Sequence, residues 1–248
     1  RVTPPSVISE PTALLPGERG AGNARGYFPI SEREGYVARF NQTSLLRVDL
    51  RAGTARRGPE LASFRGAGSH PRPKHFARVG AELWATLLRL DETLANPTAL
   101  GAIALLDPAT DSVLDADPSR EGTQLIELPL SNPAGPLSVR NGRAVLACAG
   151  VYTRLDGGVV LVDGATHAVS VVAREEALDG NVDAAIWLDD ERLLLRVVGR
   201  TGTSVDMPLA IDSSRLVEWS LRTNSMVREW LRVGEWTLTE PVLGGDGL

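Results

Sequence analysis

Stacked four-stranded antiparallel sheets, the β-propeller class, are what this sequence predicts, and three observations carry that expectation. First, a strand–turn–strand unit recurs, clearest in Gly158-Val159-Val160-Leu161-Val162-Asp163 followed by Gly164-Ala165-Thr166 and 167–172. Its other copies are centred on Leu45-Leu46-Arg47-Val48-Asp49, Ile103-Ala104-Leu105-Leu106-Asp107 and Leu216-Val217-Glu218-Trp219-Ser220. Second, the turn positions Asp49, Asp107, Asp163 and Ser220 lie 58, 56 and 57 residues apart, a fixed period that marks a repeat architecture. Third, each unit has room for four short strands and almost no amphipathic helix. One four-stranded sheet cannot bury both of its faces alone, so neighbours must stack, and radial stacking leaves only short edges exposed.

The turn chemistry supports the hairpins directly. Asp or Ser at the first corner can accept hydrogen bonds from backbone N–H groups two residues on, and Pro108 pre-sets the backbone of the next corner.

The same residues carry a family resemblance. Tyr36-Val37-Ala38-Arg39-Phe40-Asn41, followed by Ser44-Leu45-Leu46-Arg47-Val48-Asp49 and Thr54, resembles the repeat of the YVTN-type (YncE-like, surface-layer-type) bacterial β-propellers. Leu106-Asp107-Pro108-Ala109-Thr110 and Val162-Asp163-Gly164-Ala165-Thr166 match the second half of that motif. Ala38 and Arg39 replace its usual Thr-Asn, and Ser220 replaces Asp in the fourth copy. The resemblance spans roughly residues 25–235 and implies an exported protein, often a lipoprotein. A leader, a lipid anchor in a missing N-terminus and further parts of the ring are then expected beyond both ends.

Taken in order, residues 1–248 read as one propeller domain. Residues 1–24, rich in proline, form an N-terminal arm or outer strand. The first blade covers 25–64, with strands at 26–30, 35–40, 44–49 and from about 54. Residues 65–74 form a glycine- and proline-rich loop. The second blade covers 75–130, with strands at 76–79, 82–88 and 102–106 and a fourth within 112–130. The third covers 136–178, with strands at 136–139, 143–150, 158–162 and 167–172. The fourth covers 184–236, with strands at 184–188, 192–198, 214–219 and 225–231; 237–248 resembles the start of a further blade. The period exceeds the roughly 40–50 residues usual for blades, and the surplus falls in B–C connections at 89–101 and 199–213. In a four-stranded meander the B–C and D–A connections share a rim, so one rim is expected to carry the long loops, the arrangement by which a rigid repeat makes a binding surface.

A net charge of −5 argues against a dedicated nucleic-acid surface, and no apolar run approaches the ~20 residues that span a bilayer. The single cysteine, Cys148, excludes an intrachain disulfide; its run 144–149 reads as a buried strand, making it a core thiol. No cofactor and no metal site is expected. His70, His75 and His167 lack metal-ligand spacing and read as surface histidines. Glu175-Glu176 and Asp189-Asp190-Glu191 read as solvated turn residues. Gly17-Glu18-Arg19-Gly20-Ala21-Gly22 follows an arm instead of a strand and makes no dinucleotide fingerprint. The tryptophans at 84, 187, 219, 230 and 236 are expected to pack between blades.

Basic residues recur near the ends of the second strands: Arg39, Arg89, Arg154 and Arg200. Two belong to a repeated Arg-Leu-Asp, adding Asp91 and Asp156. One reading is a ring around the mouth of the central cavity that holds an anionic or polar ligand, since guanidinium forks match carboxylate and phosphate. The other is a set of Arg–Asp pairs that brace loops between blades. With no catalytic set assembled, the expected function is a non-catalytic binding or interaction module outside the cytoplasm. Its partner is another protein or a small polar or anionic ligand at the loop-rich rim. The enzymatic alternative resembles lactonases and streptogramin lyases, with a metal-assisted site in the central channel for which His75, Arg78 and Asp183 are the candidates. A structural subunit of a cell-envelope complex is the third alternative.

Overall fold

Hydrophobic alternation and turn chemistry together produce four sheets. The computed structural model describes residues 15–16, 18, 22–152, 154–199 and 213–234. The first sheet is β1 (Ala24–Pro29), β2 (Glu34–Arg39), β3 (Ser44–Asp49) and β4 (Thr54–Glu60). The second is β5 (Pro73–Val79), β6 (Glu82–Leu87), β7 (Ala102–Asp107) and β8 (Ser112–Leu114), with the two-residue β9 (Ile126–Glu127) also pairing β7. The third is β10 (Ser138–Arg140), β11 (Arg143–Cys148), β12 (Gly158–Asp163) and β13 (Val169–Arg174). The fourth is β14 (Asn181–Trp187), β15 (Arg192–Val198), β16 (Ser213–Ser220) and β17 (Ser225–Gly234). Every sheet is a sequential antiparallel meander.

The four C–D turns are built alike. The Asp49 carboxylate accepts the N–H groups of Arg51 and Ala52, each at 2.8 Å. Asp163 does the same for Ala165 and Thr166, at 3.0 and 2.9 Å. Four residues beyond each first corner the backbone is left-handed, at Gly53, Asp111, His167 and Asn224 with φ of 65°, 54°, 57° and 50°. A left-handed exit lets the chain rejoin the right-handed twist of the next strand.

Side-chain alternation places the core between sheets. On β6, Leu83, Ala85 and Leu87 pack against Tyr36 and Leu45 of the first sheet, whereas Trp84 packs against the third. On β11, Ala144, Leu146 and Cys148 face the second sheet, and Val145 and Ala147 face Val182, Trp187 and Leu195 of the fourth. Successive residues point to opposite faces of a strand, so the second and third sheets are each apolar on both sides. Trp84, Trp187 and Trp219 fill these seams as expected, but Trp230 is 53% exposed on β17, and Trp236 lies outside the described residues. Trp230 instead lies on the outermost strand, stacked under Arg228 at 3.5 Å and donating Nε1 to Glu218 of the adjacent strand at 3.0 Å.

Polar side chains clamp the same seams on the short-turn rim. Tyr36 donates its hydroxyl to Asp111 at 2.5 Å, and Arg47 reaches the same carboxylate at 2.8 Å. In the next seam Trp84 Nε1 donates to Glu82 at 2.8 Å, while His167 Nε2 sits 3.0 Å from that carboxylate. His167, expected as an ordinary surface histidine, is thus a bridge between sheets.

Two short elements were not anticipated. A 3₁₀ turn occupies Ala62–Phe64, and a single helical turn, α1 (Glu175–Leu178), links the third and fourth sheets. Four residues give no amphipathic period to detect. The fourth strand of the second sheet is also split: β8 and β9 pair with opposite ends of β7, and of the segment between them 118–123 are exposed. Among the described residues no helix is long and apolar enough to cross a membrane.

The candidate functional site

The meander puts the connections 40–43, 61–72, 88–101, 128–137, 149–157 and 175–180 on one rim. Their internal chemistry is the site. Arg39, at the end of β2, is fully buried. Its Nε donates to Ser44 O at 3.1 Å, Nη2 to Ser44 Oγ at 2.6 Å and Nη1 to Glu18 Oε2 at 2.5 Å. Burial works against the Glu18 anion, but Arg39, the Leu15 N–H and Arg57 together hold its carboxyl below the usual range.

Arg89 follows β6 in a left-handed conformation, φ 54°. Its Nε donates to Phe64 O at 2.9 Å and Nη1 to Leu100 O at 3.1 Å. Nη1 and Nη2 form a fork on Glu127, at 2.7 and 3.0 Å. Asp91 does not pair with Arg89. It staples its own loop, accepting Thr93 Oγ1 at 2.7 Å and Asn96 Nδ2 at 2.9 Å; these Asn96 and Thr93 bonds pull its carboxyl down to about 2.

Asp156 likewise serves its own loop, accepting the Val151 N–H at 2.9 Å. Arg154 is exposed; its carbonyl accepts Asn181 Nδ2 at 2.6 Å, and its guanidinium has no partner among the described residues. Arg200 lies outside them. The structure therefore brings together no Arg-Asp pair from either Arg-Leu-Asp triplet.

Two residues that sequence reasoning passed over organise the rim. Arg72 lay within the loop 65–74, yet it is buried and joins two connections. It donates to Asn41 Oδ1 at 2.5 Å on one side and to Asp91 O and Glu92 Oε2, at 3.2 and 3.1 Å, on the other. Glu175 corrects the expectation of a solvated turn acid. It is wholly buried, accepting the N–H groups of Val182 and Gly157, each at 2.8 Å, and Asn181 Nδ2 at 2.9 Å. Burial pushes its carboxyl up to about 8 against those three donors. Neighbouring Glu176 is exposed, so the adjacent pair hid one residue of each kind. The one available signal was Gly157 beside strand 158–162. A Cβ there would sit 2.6 Å from Glu175 Oε1, so the glycine makes room for the carboxylate.

The channel candidates are engaged by their neighbours. His75 Nε2 lies 3.0 Å from Ala134 O; burial, with Lys74 beside it, brings the imidazole down to about 4. Its ring is neutral at pH 7, and Nε2 carries the proton that meets the carbonyl. Asp183 grips Arg196 with two bonds of 2.6 Å. Arg78 lies over the Phe28 ring at 5.9 Å. Among the described residues no group of three His, Cys, Asp or Glu is placed to hold a metal ion. Burial, and then the charge of Glu175, raises the Cys148 thiol well above its ordinary range, so no thiolate forms near neutral pH.

Two clefts open on the surface. One, of about 530 Å³ on the loop-rich rim, is lined by Ser63, Phe64, Gly66, Arg89, Thr123 and Glu127. The other, of about 580 Å³, lies on the short-turn rim between Arg140, Asp190, Arg192 and Arg222. Its charges compensate one another, with Arg140 on Asp190 at 2.5 Å and Arg222 on Glu191.

In sequence the chain matches no protein-family model and no curated protein. In structure it is similar to hydrazine synthase of Kuenenia stuttgartiensis, at a TM-score of 0.54 and 12% identity over 89% of this chain and 53% of that one. It is similar to a calcium-binding protein, regucalcin, of Agrobacterium tumefaciens, at 0.52 and 12% over 83% and 59%. The extracellular domain of BT4673 from B. thetaiotaomicron gives 0.52 and 12% over 94% and 26%. The chain thus spans between about a quarter and three-fifths of these neighbours. They are β-propeller proteins, so the likeness establishes the propeller fold. It does not extend to the YVTN type.

Proposed function

We propose that this chain is a non-catalytic propeller binding module of YVTN type, part of an exported bacterial protein, that engages its partner through the loop-rich rim. The observation that carries the reading is how that rim is built. Its connections are held by buried polar and ionisable groups, Arg39, Arg72, Arg89 and Glu175, each bonded to a different loop. A surface whose loops are fixed in advance loses little conformational entropy on binding. The partner is another protein or a small polar or anionic ligand, and the exposed Arg154 guanidinium and the cleft beside Arg89 are the groups offered to it.

A thermal-shift survey of small carboxylates, phosphates and polyols tests this, with Arg154→Glu and Leu94→Asp on the loop-rich rim scored beside Thr223→Glu on the other. The expected result is stabilisation by a ligand that the first two variants diminish and the third leaves intact. Sensitivity only to Thr223→Glu would move the binding face to the opposite rim.

A further inference from the structure

We propose that the cleft on the loop-rich rim is a site for a small organic carboxylate, with Arg89 as its anchor and Glu127 as an internal stand-in that the ligand displaces. This deepens the reading just given and rests on it. The two members of the Arg89–Glu127 pair are unequal: the Arg89 side chain is 9% exposed, the Glu127 side chain 52%. Arg89 is also held from behind, by Phe64 O and Leu100 O, so the place of its fork does not depend on Glu127. Glu127 belongs to a two-residue strand at the sheet's outer edge, near the exposed residues 118–123. Its neighbours Ile126 and Leu128 are buried, so the strand stays in place and the half-exposed Glu127 side chain swings away by a change of rotamer.

When Glu127 turns into solvent it regains its hydration. Arg89 cannot, and a buried guanidinium without an anion is the costly state. An incoming carboxylate restores the pair. The two N–H groups that meet Glu127 at 2.7 and 3.0 Å are the parallel fork that a planar carboxylate matches. The remaining wall suits a small organic body, with Phe64 as its apolar residue and Ser63 and Thr123 as its polar ones. A volume of about 530 Å³ falls in the range of small-molecule sites. The internal occupant is itself a carboxylate, which selects that group over a tetrahedral anion.

The test is calorimetric titration of the whole chain with glutarate, with inorganic phosphate and chloride as comparators, on the wild type, Glu127→Gln and Arg89→Lys. Removing the competing charge is expected to tighten glutarate by about tenfold, one charge-assisted contact's worth, and Arg89→Lys is expected to abolish it. Should Arg89→Lys fail to fold, Glu127→Gln decides alone, since its side chain is half in solvent. Unchanged glutarate affinity in Glu127→Gln overturns the displacement, and phosphate bound as tightly as glutarate overturns the ligand class. If rim-dependent stabilisation by some other ligand survives either result, the site assignment falls and the binding-module reading stands.

Discussion

At the scale of single residues, buried ionisable groups set the behaviour. Glu175 has its folded pKa raised to about 8, above an ordinary glutamate in the unfolded chain. Its contribution to stability is therefore complete below roughly pH 4 and is lost as pH rises through 8. The expected slope is on the order of 1 kcal/mol per pH unit between about 5 and 8. Chemical denaturation across that range should show it, and Glu175→Gln should flatten the curve; a wild-type profile that rises toward pH 8 contradicts the assignment. Arg39→Ala should cost about 3 kcal/mol or more, because it empties a fully buried site and removes the bonds to Ser44 and Glu18 together, although Arg57 stays on the Glu18 carboxylate. Urea midpoints measure that loss. Arg39 and Arg89 stood out in the sequence because they recur after the second strand, but their partners Glu18 and Glu127 did not. They lie 21 and 38 residues away, brought close by the segment before the first sheet and by the returning edge of the second, a closeness that local pattern does not contain.

At the scale of elements, the strands were legible because apolar alternation and the turn Asp agree. The expected third strand 158–162 and the observed Gly158–Asp163 differ by one residue. What stayed hidden was the split of the fourth strand of the second sheet, since two- and three-residue pieces carry no period. The turns offer a direct check. Asp163→Ala removes acceptors for Ala165 N, Thr166 N and Thr166 Oγ1 and should cost about 1–2 kcal/mol. Gly157→Ala should be far more damaging, about 3 kcal/mol or above. Its added carbon would press on Cys148 O, which is backbone, and on the buried Glu175. Thermal melts of the two variants should rank in that order.

At the scale of the whole molecule, three apolar seams join four sheets, and Cys148 belongs to the one between the second and third. That thiol should resist a disulfide reagent in the native state and react at the rate at which this seam opens. Prompt labelling of the native protein would show that the seam is looser than its packing implies. The propeller was visible from sequence because a wheel repeats its parts, whereas the rim was not, because each loop solves its own problem once. The exposed stretch 118–123 has a practical side. The sheet already closes around a strand interrupted there, its two halves pairing with β7 independently, and Arg120 and Glu121 at its tip face solvent. Evolution has in effect left a socket in the hub's outer wall, where a guest peptide or a fluorescent tag could be spliced without disturbing the spokes on either side.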